Sequence, residues 1–302
     1  MKIDNTALVA FQTCPALYFL RFKQGWAPRR KSAALGFGGG VHLGLQQWYE
    51  NELLDTESRL KLGVAAMAEG WTPGPIDDYR TLEKAVELLV LYSKQYPREN
   101  FNLVQGPSGP LVEVVFTLPL VDILTGEQLF CDDGEPIEYG GIFDGLVDSG
   151  GPAAQHYVLE HKTTSRLGPS YMYQFKPNNQ LSGYIWAGWQ LSGRKVAGAL
   201  INAMCVTSGG KIEFRREITT RTEYDLHKWA KDVQATCNLI RRAERTNEWP
   251  RFTKNCTMYG RCEFHEVHTK GDPATEQRVL EQDYEIRHWS HESRDEVVAT
   301  ND

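Results

Sequence analysis

Two carboxylates and one lysine follow each other in a pattern that could bind a metal ion. Asp144 lies in one apolar segment, and Glu160 and Lys162 lie in the next with one residue between them. On a β-strand this i, i+2 spacing puts both side chains on one face, about 7 Å apart. Carboxylate oxygens are hard ligands for a divalent cation, and a nearby lysine could orient a water or offset the charge of a phosphate. The pattern therefore indicates metal-assisted hydrolysis.

Taken alone, a Glu-x-Lys sequence on a strand is more often a solvated ion pair on the surface. The surrounding sequence favours a site instead. Residues 157–159, immediately before Glu160, are apolar, and Asp144 lies in a segment that can pair with this strand. Glu113, in a third alternating segment, could join the cluster, although the alternation favours a solvent-facing side chain there.

The elements that must position these residues are predicted from the period of the apolar residues. Strands are predicted over residues 111–122, 137–148, 156–163, 195–207 and 211–218. Helices are predicted over residues 6–22, 41–54, 56–70, 80–96, 171–191 and 221–246. The basic and glycine-rich residues 24–40 are predicted as a loop.

This order of elements predicts an α/β fold in which helices flank a central mixed β-sheet. A helical N-terminal elaboration is expected at about residues 43–100. Because no linker separates two parts of the chain, we predict a single domain over residues 1–270. A polar and charged C-terminal tail is expected over residues 271–302.

Four short motifs occur in a fixed order along this predicted fold. They are Gly39-Gly40-Val41-His42, then Asp144, then Glu160-His161-Lys162, then Gln180-Leu181-Ser182-Gly183-Tyr184. This order resembles the PD-(D/E)xK nucleases, and in particular their RecB-like branch. That branch includes the nuclease domains of recombination exonucleases, the CRISPR adaptation nucleases and stand-alone phage exonucleases. The resemblance spans residues 11–268 and implies a restriction-endonuclease-like core.

The resemblance implies a role for each motif residue. It implies that Mg²⁺ or Mn²⁺ is bound by His42, Asp144, Glu160 and the backbone carbonyl of His161. Lys162 is implied to help position the attacking water. Gln180 and Tyr184 have the i, i+4 spacing that puts them on one helix face, and the resemblance implies that this face borders the active site and the DNA.

The resemblance thus implies a deoxyribonuclease, and we expect an exonuclease in DNA recombination, repair or phage DNA metabolism. The expected substrate is single-stranded DNA or duplex ends, in the cytoplasm of a bacterium or of a phage-infected host. A structure-specific endonuclease and a non-cleaving DNA-binding accessory protein are the alternatives. The presence of Asp144, Glu160 and Lys162 together argues against the second. The partner considered is a helicase or a recombinase, because the sequence itself lacks the GxxxxGK[ST] motif.

Cysteines near the two ends of the chain suggest a second metal site. Several RecB-like nucleases hold a four-iron four-sulfur cluster with one N-terminal and three C-terminal cysteines, and thiolates are its usual ligands. Cys14, Cys256 and Cys262 match three such positions, while His268 stands where one family spacing has its last cysteine. With His268, or less favourably His265, these cysteines could bind a 4Fe–4S cluster or Zn²⁺. A relic site with free thiols is the third alternative.

Basic residues are clustered although the chain as a whole is acidic. Arg29, Arg30 and Lys31 precede the His42 motif and are the best candidates for contacts with DNA phosphates. Further basic pairs, each more often solvated than bound to a ligand, are Arg194-Lys195, Arg215-Arg216 and Arg241-Arg242.

Composition limits the class of protein. Lys and Arg number 33 against 39 Asp and Glu, a formal charge of −6, which argues against a protein that coats DNA by charge alone. No stretch has the roughly 18 apolar residues that span a bilayer, so no membrane association is expected, and the N-terminus lacks the cleavage site of a signal peptide. Six cysteines in 302 residues give no disulfide framework.

Overall fold

The structure is a computed structural model, and it describes residues 1–29, 32–73, 79–107, 109–258, 260–290 and 297–298. The α-helices in these ranges are α1 (Asn5–Thr13), α2 (Pro15–Tyr18), α3 (Ala33–Glu50), α4 (Thr56–Glu69), α5 (Leu82–Gln95), α6 (Asn179–Ser192), α7 (Glu223–Thr246), α8 (His265–His268) and α9 (Pro273–Asp283). A π-helical turn covers Phe19–Lys23, and 3-10 turns cover Tyr171–Phe175 and Thr253–Cys256.

The strands complete the list of elements. They are β1 (Lys2–Asp4), β2 (Trp26–Pro28), β3 (Asn102–Leu103), β4 (Gln105–Gly106), β5 (Gly109–Pro110), β6 (Val112–Pro119), β7 (Glu138–Asp148), β8 (His156–Thr164), β9 (Val196–Val206), β10 (Ile212–Thr220), β11 (Tyr284–His288) and β12 (Val297–Val298). None of the helices in the described residues combines the length and the apolar composition that a membrane span requires.

The candidate site lies on a sheet whose hydrogen-bonded order is β7-β8-β9-β10. β7 pairs with β8 and β9 with β10 in antiparallel fashion, whereas β8 and β9 are parallel. Helix α3 contacts β8 at His161, and helix α6 contacts it at Lys162. Since successive strand residues point to opposite faces, the two helices cover opposite sides of the strand. The predicted α/β fold with a mixed sheet flanked by helices is confirmed.

Two compact units are distinguished by their internal contacts. One comprises residues 1–30, 116–141 and 227–302, and the other comprises residues 31–115 and 142–226. Strand β7 begins in the first unit, where its first residues pair with β1, and continues into the second. The single domain over 1–270 stays a prediction.

The predicted loop over residues 24–40 is wrong in its second half, because helix α3 already begins at Ala33. Its N-cap is Ser32, whose hydroxyl accepts a hydrogen bond from the backbone of Leu35. Glycines signal a loop in sequence, but here Gly36 and Gly40 let other segments approach the helix. A Cβ added at Gly36 would lie 2.7 Å from the carbonyl oxygen of Thr72. Gly36 therefore serves close packing of the helix rather than a loop.

The N-terminal elaboration is helical, as predicted. Helices α3, α4 and α5 contact one another, and at Gly44 on α3 an added Cβ would overlap the side chain of Met67 on α4. The helices share an apolar core with the sheet, in which Leu45, Leu88 and Leu159 are buried. This packing fixes the face of α3 that carries His42.

The C-terminal residues form defined elements within the first unit. Strand β11 pairs with β2, with Ile286 opposite Trp26. Helix α9, capped by Asp272, places Leu280 in a small apolar core. In the same core the ring of Tyr284 stacks on Phe264 with 5.2 Å between centroids.

Candidate active site

Asp144 lies at the centre of a group of polar side chains. It belongs to strand β7, and its side chain is only 2% exposed. One carboxylate oxygen, Oδ1, lies 2.9 Å from Nδ1 of His42 on helix α3. The other, Oδ2, accepts a hydrogen bond of 2.5 Å from the backbone N–H of His161 on β8. Asp144 therefore connects the His42 motif with the Glu160-His161-Lys162 motif.

Glu113 on strand β6 joins this group, so the prediction that it faces solvent is wrong. Its Oε1 lies 3.9 Å from Nδ1 of His42, and its side chain is 13% exposed. The backbone of Glu113 has φ 49°, in the left-handed region that few residues other than glycine adopt. This conformation interrupts the alternation of side chains along the strand. An alternating sequence pattern cannot reveal such an interruption.

Glu160 and Lys162 lie on one face of β8, as their spacing predicts. Nζ of Lys162 lies 2.5 Å from Oε1 of Glu160, whose side chain is 3% exposed. The antiparallel register of β7 and β8, in which Gly145 is opposite Leu159, ends beside Asp144 and Glu160. The two neighbouring strands thus bring both predicted carboxylates to the same region.

Helix α6 contributes Gln180 and Tyr184 to the group. The helix begins after Asn178, which caps it by accepting a hydrogen bond from the backbone of Leu181. Oε1 of Gln180 accepts a hydrogen bond of 2.8 Å from Lys162, and its Nε2 donates one of 3.1 Å to the hydroxyl of Tyr184. The spacing of i, i+4 aligns the two side chains as predicted. Gln180 therefore gives Lys162 a second hydrogen-bond acceptor, in addition to Glu160.

The carboxylates of Asp144 and Glu160 are both buried, which affects the ionisation of Glu160. Burial raises the pKa of Glu160 above its usual range; Lys162 opposes this rise and the Asp144 carboxylate adds to it. Removing water disfavours the charged carboxylate, and a like charge nearby does so further. A cation bound beside these groups would favour the ionised form.

The donor set fits a divalent cation. The ligand atoms of His42, Glu113 and Asp144 all lie within 4.8 Å of one another. In the described part of the chain, no other three His, Cys, Asp or Glu residues bring their ligand atoms this close. Carboxylate and carbonyl oxygens suit Mg²⁺ and Mn²⁺, and one imidazole is compatible with a transition metal such as Mn²⁺. These residues could therefore hold one such ion.

Several polar residues behind β8 were missed by the sequence analysis. Asn202 is fully buried on β9 and contacts the ring of His161. Arg216, considered above for phosphate contacts, is instead bound to Glu99 through an ion pair of 2.5 Å, and its side chain is 12% exposed. The sequence signal that could have found this region is an asparagine within the otherwise apolar strand residues 196–206.

The cysteines of the possible second metal site lie in the first unit. Cys14 is buried, and its Sγ accepts a hydrogen bond of 3.4 Å from the backbone of Phe252. Burial raises the pKa of the Cys262 thiol, and Glu263 and the thiols of Cys256 and Cys14 add to the rise. The three thiols are thus near enough to interact electrostatically.

These thiols do not form a single-ion site in the described structure. A tetrahedral zinc ion bound at about 2.3 Å would hold its sulfur ligands about 3.8 Å apart, and no three of these residues come within 4.8 Å. His268 lies on α8, and burial lowers its pKa. Binding of a 4Fe–4S cluster or Zn²⁺ by Cys14, Cys256, Cys262 and His268 stays a prediction.

Of the three predicted basic DNA contacts, only Arg29 is described by the structure. Its guanidinium donates to the backbone carbonyls of Glu281 and Gln282 at 3.2 Å each, and it lies 3.7 Å from the carboxylate of Glu285. Arg30 and Lys31 lie outside the described residues. Their contacts with DNA stay a prediction.

A fold of this kind with clustered carboxylates, a histidine and a lysine is the arrangement of a metal-dependent nuclease. The model of the PD-(D/E)XK nuclease superfamily matches residues 5–267. The chain therefore belongs to the PD-(D/E)XK nuclease superfamily, whose members are hydrolases that act on phosphodiester bonds with divalent metal ions.

Two solved structures resemble this chain at low sequence identity. A crystal structure named "Putative exonuclease", from Eubacterium rectale, is 15% identical, with 89% of this chain and 88% of that chain covered and a TM-score of 0.50. The structure of SSO0001 is 16% identical, with 79% of this chain and 84% of that chain covered and a TM-score of 0.32. No curated protein sequence matches this chain significantly.

Proposed function

We propose that the chain is an exonuclease that hydrolyses DNA with Mg²⁺ or Mn²⁺. The observation that carries the proposal is the cluster of His42, Glu113 and Asp144 beside the Glu160–Lys162 pair. The cluster brings the candidate metal ligands, the buried Glu160 carboxylate and the Lys162 ammonium group together at one end of the paired strands β7 and β8. The name of the Eubacterium rectale protein agrees with the proposal.

In this proposal His42, Asp144, Glu160 and the carbonyl of His161 hold the ion, and Glu113 is a further ligand. When bound, the ion supplies the Lewis acidity that activates a water and offsets charge on the phosphate. The buried carboxylates are oriented by fixed contacts with other groups: Asp144 accepts a hydrogen bond from the backbone N–H of His161, and Glu160 pairs with Lys162. Such pre-orientation lowers the entropic cost of assembling the site.

Lys162 is proposed to position the attacking water or a phosphate oxygen. An ammonium group has three N–H donors and no acceptor. Two of them are directed at Oε1 of Glu160 and Oε1 of Gln180. Because these two contacts fix the position of Nζ, the third donor has a defined direction. Gln180 and Tyr184 act by holding the lysine in place.

The proposal predicts that Lys162→Ala and Glu160→Gln abolish the digestion of DNA. The measurement is release of label from linear DNA with Mg²⁺, with EDTA as the metal-free control. Removing one positioned donor at a reacting centre costs about 100-fold or more in rate, so we expect at least that loss in Lys162→Ala. A comparable loss is expected in Glu160→Gln, because it removes a charged ligand of the metal ion. In the wild-type chain, EDTA should stop digestion, and added Mg²⁺ or Mn²⁺ should restore it.

The chain offers a matched control for both variants. Lys211 and Glu213 form an exposed pair with the same 2.5 Å distance and the same i, i+2 spacing. Lys211→Ala and Glu213→Gln should digest DNA at the wild-type rate. Full activity in Lys162→Ala, with a melting temperature equal to that of the wild type, would refute the assignment.

A circular single-stranded substrate distinguishes an exonuclease from an endonuclease. An exonuclease needs an end, so circular DNA should survive conditions that degrade the linearised form. Cleavage of the circle would identify an endonuclease on the same fold. DNA that is bound but never cut, with any divalent ion, would identify an accessory protein.

A further inference from the structure

A buried polar network lies behind strand β8, on the side away from Lys162. We call it the His161 network and define it by six residues: Tyr49, Tyr92, Glu99, His161, Asn202 and Arg216. These residues come from α3, α5, the segment after α5, β8, β9 and β10. Their positions on three adjacent strands follow from the register, in which His161 pairs with Asn202 and Asn202 with Arg216. Side chains of paired residues point to the same face of a sheet.

The hydrogen bonds of the network determine which atoms donate. Nε of Arg216 can only donate, and it lies 3.2 Å from Oδ1 of Asn202. The amide of Asn202 is thereby oriented with its Nδ2 toward the hydroxyl of Tyr92 and Nδ1 of His161, each at 2.9 Å. Both protons of this amide nitrogen are therefore used, one for each partner.

The two tyrosines complete this assignment. Burial raises the pKa of both hydroxyls, so each is a protonated donor at neutral pH. The hydroxyl of Tyr49 donates to Glu99 at 2.8 Å, and the hydroxyl of Tyr92 lies 2.5 Å from that of Tyr49. Tyr92 therefore donates to Tyr49 and accepts from Arg216 and Asn202. Each of these hydroxyl and amide protons therefore has one acceptor.

It follows that Nδ1 of His161 accepts a hydrogen bond. The ring is then neutral, and its proton is on Nε2. The ring is also held flat against Tyr49, with 5.5 Å between centroids and 14° between planes. Its orientation is therefore fixed by one hydrogen bond and by one stacked ring.

The same residue belongs to the proposed metal site through its backbone. The N–H of His161 holds Asp144, and its carbonyl is a proposed ligand. A ring that is fixed on one face of the strand restrains the peptide groups on either side of it. We infer that Asn202 is a positioning residue, which orients the His161 peptide and Asp144 for metal binding by fixing the imidazole in its Nε2–H form. This inference rests on the proposed function.

The first test is the tautomer of His161 in the metal-free protein. Long-range ¹H–¹⁵N correlation spectra distinguish the two neutral forms of histidine. The chain has eight histidines, so the signals of His161 are identified as those missing from His161→Phe. We expect the Nε2–H form in the wild type. An Nδ1–H form would overturn the inference.

The second test is a double-mutant cycle on Mn²⁺ affinity, measured by calorimetry. Groups that orient metal ligands typically change metal affinity by about 10- to 100-fold, so Asn202→Leu should weaken Mn²⁺ binding by about tenfold. If Asn202 acts through His161, the same substitution in a His161→Phe background should weaken binding no further. Additive losses in the double variant would overturn the inference.

Tyr92→Phe is the matched control for a merely structural role. It removes a buried hydroxyl from the network and leaves the bond between Asn202 and His161 in place. We expect its melting temperature to fall as in Asn202→Leu, with Mn²⁺ affinity within about twofold of the wild type. Wild-type Mn²⁺ affinity in Asn202→Leu would overturn the inference and leave the proposed nuclease function intact. If the wild-type chain itself bound neither Mn²⁺ nor Mg²⁺, the proposed function and this inference would both be wrong.

Discussion

Glu113 shows how a single backbone conformation changes the charge of the site. Its left-handed φ turns a carboxylate toward His42 and Asp144, and Glu160 is close by. Three carboxylates crowded into one buried region repel each other when no cation is present. Residues that form such a site often lower the stability of the protein in its metal-free state. Glu113 should therefore stabilise the fold only when a cation is bound.

Substituting Glu113 should separate stability from metal affinity. We expect Glu113→Gln to raise the free energy of unfolding in EDTA by about 1 kcal/mol, because it relieves repulsion. The same change should weaken Mn²⁺ binding by about tenfold or more, because it removes a charged ligand. Calorimetry and chemical denaturation measure the two quantities. Glu213→Gln is the control and should change neither the affinity nor the metal-free stability by a comparable amount. A Glu113→Gln variant with unchanged Mn²⁺ affinity would remove Glu113 from the ligand set.

Helix α3 allows a prediction at the scale of one element. A Cβ at Gly36 would press against the backbone oxygen of Thr72 at 2.7 Å, whereas a Cβ at Gly39 meets nothing within 4 Å. Gly39→Ala should therefore stabilise the helix by about 0.5–1 kcal/mol. Gly36→Ala should destabilise the protein by about 1–3 kcal/mol, because backbone cannot move aside easily. Thermal unfolding of the two variants checks this, and a stabilised Gly36→Ala would contradict the close approach.

The elements that the sequence predicts well are those with a strong local period. The strand predicted over 156–163 is His156–Thr164, and the long helix predicted over 221–246 is Glu223–Thr246. The start of α3 was missed because Gly36 and Gly40 are explained by contacts with residues outside the helix, Thr72 and Trp71. A local pattern contains no information about such contacts.

The same reason explains which parts of the candidate site were predictable. Asp144, Glu160 and Lys162 come from two strands with clear alternation, so their proximity could be expected. The His161 network depends on Asn202 and Arg216, which meet His161 only through the register of three strands. The sequence neighbours of Arg216 include the charged residues Arg215 and Glu217, a composition that is typical of an exposed strand. Its partner Glu99 lies 117 residues away, and no local pattern connects them.

At the scale of the whole molecule, the C-terminal elements belong to the core of the first unit. Leu280 and Tyr284 are each 5% exposed, and Tyr284 stacks on Phe264. Strand β11 pairs with β2. Nη1 of the buried Arg21 donates to the backbone oxygen of Arg287 at 3.2 Å. Removing these elements would expose apolar surface and leave a buried guanidinium without this acceptor, which is costly.

Truncation measures how much the C-terminal elements stabilise the protein. A chain that ends at residue 270 loses α9 and β11, and with them two buried apolar side chains, Leu280 and Tyr284. Each is worth about 2–5 kcal/mol by comparison with large-to-small core substitutions. Since domains are stable by only about 5–15 kcal/mol, we expect this chain to unfold at least partly or to aggregate. A chain that ends at residue 290 keeps both elements, and its melting temperature should stay within a few degrees of the wild type. Circular dichroism melts of the two truncations provide the comparison. A cooperative, wild-type melt of the chain ending at 270 would show that the C-terminal elements lie on the first unit without stabilising it.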